Sequence, residues 1–523
     1  MRHFGILLTL LFPVMVCASN LPGDDRNGQA GTSGQAGHLL IGWASADITP
    51  DKPVLLAGQF HARVSEGVMD LVTATALAIE SGAGASSEKA VLISLDLVKI
   101  DDHLRDKVRE IVTASVPEIS PEQIMVNATH THSAPYCSDA PDSRSIYGVE
   151  LDAMSPLACL EFVSERAAKA AIQAWNSRKP GGISYGLGHA VVGQNRLAVY
   201  FSGKSQMYGN TGKEDFSHIE GYEDHSVNLL YTWNKDRELT GIAINVACPS
   251  QVSESEYRVS ADYWHDVRLE VRERLGKNLF ILPQCSAAGD QSPHVMIGSK
   301  AEDRMQRLMG ADQTGRGSSG RRKQIAQSIA GAVSSVYPYM KDQIEWTPAF
   351  VHRTEVVELS RRLIAREDVD NALKEAAEHE KKYDQLLAEI RENPGSKQNP
   401  RWYINITMTH SLMKRGKSVK ERFELEKVQP KMPIEVHVVR LGDVVFATNP
   451  FELYLDYGMR IKARSRAVQT FLVQLTGYGT YLPVSRSVAG GSYGAVPAST
   501  LMGPEGGQEL VEKTLEMISQ VMN

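Results

Sequence analysis

The sequence predicts an α/β protein in which a mixed sheet is flanked by helices. Residues 90–97 and 124–127 are short apolar runs, which are typical of buried strands. Between them, Asp101 or Asp102 can cap a helix that runs to about Ser115. A strand, a helix and a second strand in this order form a βαβ unit, whose crossover is expected to be right-handed.

The remaining elements follow in order and extend the same fold. A long helix is predicted at about 161–175, and a hairpin is predicted from strands at about 227–233 and 239–247. A further helix at about 262–275 and a core strand at 279–282 follow. Helices are predicted at about 321–336 and 369–390. A second hairpin is predicted from strands at 434–440 and 444–448, and a closing helix at about 509–521. The region 365–430 is predicted to be a helical excursion over the site. Because no repeat and no composition break follows residue 39, residues 39–523 are predicted to form one large domain.

The amino terminus carries the features of an export signal followed by a tether. Residues 1–18 combine Arg2, an apolar run and a small residue, Ala18, that suits signal peptidase, which predicts a secreted or periplasmic protein. The apolar run is too short to span a bilayer, so no transmembrane segment is expected. Residues 19–38 are rich in Gly, Asp, Asn, Ser and Gln and are predicted to be flexible. Lipid anchoring at Cys17 is an alternative, which the bulky residue before it disfavours.

Composition and charge limit the classes of partner. The 523-residue chain has 42% hydrophobic and 23% charged residues, as an ordinary globular protein does, so a large core is expected. Its net charge of −6 with no basic block argues against nucleic acid or an anionic membrane surface as the main partner. The few cysteines outside the export signal indicate that the core, rather than disulfides, holds the fold. The sequence leaves the oligomeric state open.

Two histidines stand two residues apart where a predicted strand ends. His130 and His132 lie in the stretch 127–135, before Pro135 stops the strand. In open α/β sheets, ligands bind at the carboxyl ends of strands. Side chains two apart on a strand share a face, so both imidazoles are expected to serve one site if the strand geometry persists. The pair favours a functional site over two hydrogen-bonded core histidines.

Six stretches of the chain resemble motifs of one enzyme family. They lie at 41–50, 94–97, 129–135, 288–293, 449–452 and 477–483. In this order they are similar to motifs of the neutral/alkaline non-lysosomal ceramidase family, whose members are zinc amidohydrolases. The resemblance implies a divergent member with the fold of the family's amino-terminal catalytic domain. It also implies a hydrolase that cleaves a ceramide-like N-acyl amide with metal-activated water.

The resemblance assigns roles to five residues. His130 matches the first metal ligand, and Glu452 and Tyr481 match two further ligands, so the implied cofactor is Zn²⁺. His132 matches the family's second motif histidine, which would protonate the leaving nitrogen or stabilise the oxyanion, tasks that need a pKa near neutral. Ser292, in a loop that resembles the family's Gly-Asp-x-Ser-Pro, would orient substrate or water. From the residues alone, Glu452 could instead cap a helix, Tyr481 could be a half-buried aromatic side chain, and Ser292 could belong to a Ser-His-Asp triad.

One ligand expected from the family is missing. Where related sequences read Ala-Cys-His-Pro or similar, this chain has Pro249, and proline cannot bind a metal. His265, at the start of the next predicted helix, stands where the family usually has glycine and is the predicted replacement. A surface histidine is the alternative interpretation of that residue. Cys248 as a thiolate ligand and the acidic and imidazole group at 218–225 remain further candidates.

The substrate is expected to be a small acyl compound, either a lipid or a glycan. Arg196 and Gln59 stand in polar loops and are candidates to line the pocket, with a surface arginine as the alternative for the first. Family members that act on ceramide commonly carry a carboxyl-terminal immunoglobulin-like domain, which is not expected here. An esterase or deacylase that acts on acylated glycans is therefore a second interpretation. A degenerate, non-catalytic binding protein that lost the metal is a third, and Pro249 favours it.

Overall fold

The computed structural model describes residues 39–82 and 87–523. The predicted export signal at 1–18, the predicted tether at 19–38 and the anchoring alternative at Cys17 lie outside the described residues. No described helix has an apolar stretch that is long enough to cross a bilayer.

Most of the described strands belong to two large sheets. In chain order the strands are β1 (Leu40–Asp47), β2 (Thr73–Ser81), β3 (Glu88–Leu95), β4 (Ile124–Ala128), β5 (Lys179–His189), β6 (Gln194–Asn195), β7 (Leu197–Tyr200), β8 (Ser205–Met207), β9 (Phe216–Ile219), β10 (Ser226–Asn234), β11 (Leu239–Val246), β12 (Phe280–Cys285), β13 (Gln291–Ser292), β14 (Phe350–Ser360), β15 (Lys431–Leu441), β16 (Val444–Thr448), β17 (Glu452–Leu453), β18 (Gln469–Val473) and β19 (Tyr481–Leu482).

The described helices connect and cover these strands. They are α1 (Asp102–Ser115), α2 (Ser143–Tyr147), α3 (Pro156–Asn176), α4 (Tyr263–Leu275), α5 (Ser299–Leu308), α6 (Ser319–Met340), α7 (Arg366–Glu392), α8 (Ile404–Val428), α9 (Leu455–Arg464), α10 (Ser485–Gly490) and α11 (Pro504–Met522). Short 3-10 turns lie at Pro121–Gln123, Pro394–Gln398, Tyr493–Ala495 and Pro497–Ser499.

The larger sheet is mixed and has eight strands in the order β12, β11, β10, β5, β1, β2, β3, β4. The pair at each edge, β3 with β4 and β11 with β12, is parallel, and the other neighbours are antiparallel. Each parallel pair is connected through a helix, α1 or α4, because parallel neighbours need a crossover. The arrangement agrees with the fold class that the sequence predicts.

A second sheet, in the order β14, β15, β16, β18, packs against the first through a shared apolar layer. Trp43, Leu77 and Leu282 of the larger sheet pack there with Phe446 and Phe471 of the second sheet. Helices α1, α3, α4 and α6 cover the outer face of the larger sheet, and α9 and α11 cover that of the second. The four layers are therefore helix, sheet, sheet and helix. Sequence patterning predicts the β15–β16 hairpin but not its place in a separate sheet.

Helix α3 shows how local signals shift a predicted boundary. It begins at Pro156 rather than at about 161, because the Ser155 side chain accepts a hydrogen bond from the Ala158 amide and proline is favoured at the first helical position. The earlier start adds a turn to the helix that packs on β1 and β2.

Helices α7 and α8 occupy the range 365–430 and interrupt a hairpin. Ser360, the last residue of β14, pairs with Lys431, the first residue of β15, so the two strands pair over their whole length. The two helices pack against each other, and Ile406 of α8 packs with Leu55 and with Tyr147 of α2. They thus form a separate layer of structure beside the loops that carry the site.

The cysteines are consistent with a fold held by its core. Each described cysteine is a free thiol, and Cys159, Cys248 and Cys285 are buried. Burial raises the pKa of the Cys159 and Cys285 thiols to about 12. These thiols are therefore inert apolar side chains at neutral pH.

Candidate functional site

The site begins with a backbone kink directly after β4. The Thr129 amide donates to the carbonyl of Leu95 at 3.0 Å, and the Thr131 amide donates to that of Leu97 at 3.1 Å. Between them His130 has a φ of 66°, in the left-handed region that residues other than glycine rarely adopt. Strand geometry therefore does not persist through His130, and strand alternation is not what aligns the two imidazoles. Such strain is typical of functional positions that the surrounding structure holds in place.

His130 and His132 nevertheless converge. Their Nε2 atoms are 3.4 Å apart, and their rings meet edge to face with centroids 4.9 Å apart. His130 Nδ1 lies 2.5 Å from the carbonyl oxygen of Val98, and because a carbonyl only accepts, this nitrogen carries the ring proton. When the imidazole is neutral, His130 Nε2 therefore carries a lone pair that faces the site; when it is protonated, the same nitrogen carries a proton toward Glu452.

Glu452 and Tyr481 approach this lone pair from two short parallel strands. β17 and β19 place the two residues side by side. Glu452 Oε2 lies 3.5 Å from His130 Nε2, and the Tyr481 hydroxyl is near enough to the Glu452 carboxyl to lower its pKa. Burial alone would raise the pKa of Glu452, but His130, Arg196 and Tyr481 hold it below its ordinary value. A carboxylate oxygen and a lone-pair nitrogen repel each other at this distance unless a cation or proton lies between them.

The separation between two atoms of this cluster is compatible with a divalent cation. Zinc binds nitrogen and oxygen at about 2.0–2.2 Å in tetrahedral geometry, so two of its ligand atoms stand about 3.4 Å apart. The 3.5 Å between His130 Nε2 and Glu452 Oε2 matches this separation. Within residues 39–82 and 87–523, no group of three or more His, Cys, Asp or Glu side chains could hold a metal. Tyr481, which pairs with Glu452 across β17 and β19, is the third protein donor that the motif resemblance implies for a cation at this position.

Arg196 supports Tyr481 and is not a surface residue. It is 3% exposed. Its Nη2 donates to the Gly289 carbonyl at 2.8 Å and to the Tyr481 hydroxyl oxygen at 3.3 Å. Its Nη1 donates to the Tyr208 hydroxyl oxygen at 3.3 Å. Because these contacts fix two phenol groups, Arg196 is a positioning residue for the site.

A second carboxylate, Glu254, faces His132. Its Oε2 lies 3.8 Å from His132 Nδ1, and its Oε1 accepts from His294 Nε2 at 3.1 Å and from Arg316 at 3.0 Å. Burial would raise the pKa of Glu254, but the hydrogen bond from His294 and the charges of His132, His294 and Arg316 lower it to about 2. Burial, followed by repulsion from His130, lowers the pKa of His132 to about 3. Sequence reasoning missed Glu254 and His294, although His294 comes two residues after Ser292.

Ser292 lies in a network of hydroxyl groups. Its Oγ is 3.1 Å from the Tyr208 hydroxyl oxygen and accepts the His294 backbone N–H at 3.0 Å. Gln251 Nε2 donates to the same Tyr208 oxygen at 2.6 Å. No imidazole nitrogen in the described chain is hydrogen-bonded to Ser292, so the triad alternative lacks a general base. Asp290 instead accepts from a buried amide side chain and a backbone N–H.

A polar loop at 57–63 wraps around His132. Gln59 Nε2 donates to the Glu254 carbonyl at 3.2 Å. The fully buried Arg63 donates to the same carbonyl at 2.9 Å and also to the His132 carbonyl. These bonds join the loop to the two segments that carry His132 and Glu254. Gln59 therefore stands beside the site, with its amide engaged by the backbone.

Replacing Gly58 with alanine is expected to displace the His132 ring. A β-carbon at Gly58 would lie 2.5 Å from His132 Cγ, so the ring must move. Because small misplacement of a reacting group can reduce rates about 100-fold, we expect kcat to fall by about 10-fold to 100-fold while zinc is retained. Gly67→Ala is the matched control, since Gly67 also has a positive φ but nothing lies within 4 Å of its added β-carbon. Equal kcat values for the two variants would contradict the role of His132.

Glu452 and Tyr481 form part of the wall of a cleft of about 660 Å³. The other residues that line it are Phe60, Lys99, Tyr136, Lys414, Arg415, Lys417, Ser418, Glu421, Arg422, Tyr478, Gly479, Thr480, Tyr493, Ala498 and Ser499. The volume suits a small molecule or part of a lipid. The wall combines aromatic rings with cationic side chains.

The structure does not bring His265 into this cluster. His265 lies half-buried in the first turn of α4, on the side that it shares with the exposed Leu269. Tyr263, Val267 and Arg268 form the buried side of the helix. Among the described residues, no hydrogen bond or ion pair joins the His265 side chain to His130 or Glu452. Its role as a replacement ligand therefore stays a prediction, and its position favours the surface alternative.

The other candidates for the missing ligand are engaged elsewhere. Asp224 and His225 form ion pairs with neighbouring side chains at 2.6 and 2.8 Å, and His218 is exposed. Burial raises the pKa of the Cys248 thiol well above its ordinary value, which disfavours a thiolate. In the part of the chain that the structure describes, none of them pairs with His130.

A His265→Ala variant separates a ligand from a surface residue. From its half-exposed position we expect the variant to retain zinc and to change the free energy of unfolding by less than about 0.5 kcal/mol. Zinc content and thermal unfolding of the purified variant measure both quantities. Loss of zinc and activity together would instead establish His265 as the replacement for the missing histidine.

The fold and the site together define an α/β protein with a histidine–carboxylate centre. Two solved structures share the fold. The neutral ceramidase from Pseudomonas aeruginosa aligns with a TM-score of 0.65 at 15% sequence identity, over 93% of this chain and 75% of that chain. A ceramidase complexed with C2 aligns with a TM-score of 0.63 at the same identity and coverage. The sequence matches no protein-family model and no curated protein. The likeness confirms the ceramidase-like fold that the six motifs imply.

Proposed function

We propose that this protein is a secreted, zinc-dependent hydrolase that cleaves an N-acyl amide, and a divergent relative of the ceramidases whose fold it shares. The observation that carries the proposal is the 3.5 Å approach of Glu452 Oε2 to the His130 lone pair, beside the Tyr481 hydroxyl. The ordered motifs and the shared fold support it. Secretion is proposed from the amino-terminal sequence alone.

The residues around the cation position have distinct tasks in this proposal. Zinc held by His130, Glu452 and Tyr481 would polarise the substrate carbonyl and lower the pKa of water. Because burial and His130 lower the pKa of His132 to about 3, its imidazole is neutral at neutral pH, and with its Nε2 3.4 Å from that of His130 it is placed to stabilise the oxyanion rather than to protonate the leaving nitrogen. Glu254 faces the other ring nitrogen of His132 at 3.8 Å, where its negative charge offsets only part of the lowering of the His132 pKa.

Metal analysis and acyl hydrolysis of the purified protein test the proposal together. We expect stoichiometric zinc after loading, release of fatty acid from an N-acylsphingosine, and loss of release after chelation. Acetylated sugars are assayed in parallel, because release from sugars alone would establish the esterase or deacylase alternative. If the zinc-loaded protein releases an acid from none of these acyl substrates, both the amide hydrolase and the esterase or deacylase interpretations are contradicted.

A non-catalytic binding protein is the second candidate function. Pro249 stands where the family has a histidine ligand, and the described residues offer no group of three His, Cys, Asp or Glu side chains that could hold a metal. This candidate predicts substoichiometric zinc after loading and acyl-compound binding without turnover. The same two measurements therefore distinguish it from the hydrolase.

A further inference from the structure

The cleft beside Glu452 and Tyr481 carries an excess of positive charge. Five of its wall residues are cationic: Lys99, Lys414, Arg415, Lys417 and Arg422. Only two are acidic, and one of these, Glu452, faces His130. The other, Glu421, is exposed at the surface of α8. The cleft as a whole is therefore suited to a ligand with negative charge.

Most of these cations have no carboxylate partner. Lys417 pairs with Glu380 at 2.6 Å. Across residues 39–82 and 87–523, no ion pair within 4.0 Å joins Lys99, Lys414, Arg415 or Arg422 to a carboxylate, whereas Lys427 of α8 pairs with Glu424. A half-buried guanidinium group without a counter-ion is unfavourable, because burial removes water that stabilises its charge.

Arg415 and Arg422 are also held in fixed orientations. They stand seven residues apart on α8, which places them on the same side of the helix two turns apart. Arg415 Nη2 donates to Ser499 Oγ at 2.6 Å, and Arg422 Nη1 donates to the Pro497 carbonyl at 2.8 Å. Burial lowers the pKa of both groups, and repulsion from Arg415 adds to the effect on Arg422. Their remaining N–H groups are available to a ligand in the cleft.

The aromatic wall connects these arginines to the candidate reaction centre. The Tyr493 ring centroid lies 5.8 Å from that of Tyr481 and 5.0 Å from the Arg415 guanidinium carbon. Phe60 meets the same Tyr493 ring edge to face at 5.6 Å. One molecule could therefore contact Tyr481 at one end and Arg415 at the other, with the aromatic rings between them.

We propose that the substrate of this site is an acyl compound that carries an anionic oxygen group, which Arg415 and Arg422 bind while the acyl bond lies at His130 and Glu452. The inference rests on the proposed hydrolase function for its reaction, but the anion-binding wall stands on the cleft alone. Sulfonate, phosphate and carboxylate groups share the oxygen geometry that a guanidinium group binds through paired hydrogen bonds. A neutral ceramide-like molecule would leave both charges unpaired.

The test compares N-hexanoyltaurine with N-hexanoylethanolamine, which share the acyl amide and the two-carbon spacer but end in an anionic sulfonate and a neutral hydroxyl group, respectively. Binding is measured by calorimetry and hydrolysis by release of hexanoate, both with zinc-loaded protein. We expect the taurine compound to have at least about a tenfold lower Kd and higher kcat/KM, since hydrogen bonds to charged groups are the strong ones. N-hexanoyl-O-phosphoethanolamine and N-hexanoylglycine, measured in the same way, distinguish a phosphate from a carboxylate preference.

Variants on α8 assign the preference to the arginines. In an Arg415→Gln, Arg422→Gln double variant the ratio of the two Kd values should approach one, whereas a purely structural role would weaken both compounds equally. The double variant with lysine at both positions should retain part of the preference. Lys420→Gln is the matched control, because Lys420 is an exposed cation of α8 outside the cleft wall.

The outcomes keep the inference and the proposed function separate. Equal Kd values for the two compounds in the wild-type protein would overturn the inference and leave the hydrolase proposal standing. Preferential binding of the taurine compound without any release of hexanoate would overturn the hydrolase and leave the anion site standing. If the preference persists in the double glutamine variant, or disappears from wild-type protein when zinc is removed, the arginines do not hold the anion.

Discussion

Replacing His130 with alanine is expected to remove both zinc and hydrolysis. The variant loses the nitrogen that faces Glu452 Oε2 at 3.5 Å, and only oxygen donors would remain around the cation. Because loss of an outer-shell partner of a metal ligand already lowers affinity or activity by about 10–100-fold, loss of the ligand itself should reduce both by at least about 100-fold. Zinc content and kcat/KM are measured on the same preparation.

His225→Ala is the control for this prediction. The His225 side chain is 41% exposed and pairs with Glu223, so its removal should leave zinc and kcat/KM unchanged. Retention of stoichiometric zinc by His130→Ala would contradict the ligand assignment. If the His130→Ala variant retains zinc but loses hydrolysis, His130 is a proton-transfer group rather than a metal ligand.

Replacing Arg268 with alanine is expected to destabilise the fold by about 3–5 kcal/mol, because it leaves a buried carboxylate unpaired. Arg268 makes two hydrogen bonds to Asp96, at 2.8 and 3.0 Å, and Asp96 is 0% exposed. Asp96 directly follows β3 and also accepts from the Thr73 backbone and hydroxyl groups. Denaturant unfolding of the wild-type protein and the variant gives the difference in free energy.

Arg274→Ala provides the matched comparison on the same helix. Arg274 pairs with Glu270 at 3.0 Å near the surface, where such pairs contribute about 0–1 kcal/mol. A similar loss of stability in both variants would contradict the expectation that an unpaired, buried Asp96 carboxylate is more destabilising than the loss of a surface ion pair. Because Asp96 lies one residue from the backbone that holds Thr129 and Thr131, we also expect the Arg268 variant to lose zinc before it unfolds.

The sequence correctly predicts that His130 and His132 follow a strand of the sheet, because this signal is local. His130 and His132 follow an apolar strand directly, and that strand lies at the edge of the larger sheet. Strand alternation, the predicted reason for the convergence of the two imidazoles, is wrong, however, because the left-handed backbone of His130 interrupts the strand. A kink of this kind depends on hydrogen bonds to β3, a segment about thirty residues earlier in the chain, and no local pattern records it.

Residues that join the site through distant contacts are those that the sequence does not predict. Glu254 stands in an irregular segment with no strand or helix pattern, yet it accepts from His294, forty residues later. The second sheet was missed for the same reason, since β14 pairs with β15 across the whole of α7 and α8. Identification of Glu452 and Tyr481 depended on motif resemblance, because neither residue is distinctive by itself.

The uninterrupted pairing of β14 with β15 has a consequence for how this architecture can change. Since Ser360 and Lys431 are already neighbours, the seventy residues between them can be lengthened, shortened or exchanged without disturbing the register of the sheet. Arg415 and Arg422 belong to that exchangeable segment, whereas His130, Glu452 and Tyr481 belong to the permanent scaffold. In the proposed assignment, ligand preference and bond cleavage thus lie on different segments of one chain, which meet through contacts such as that of Arg415 with Ser499, and a new preference can be acquired by replacing the inserted segment.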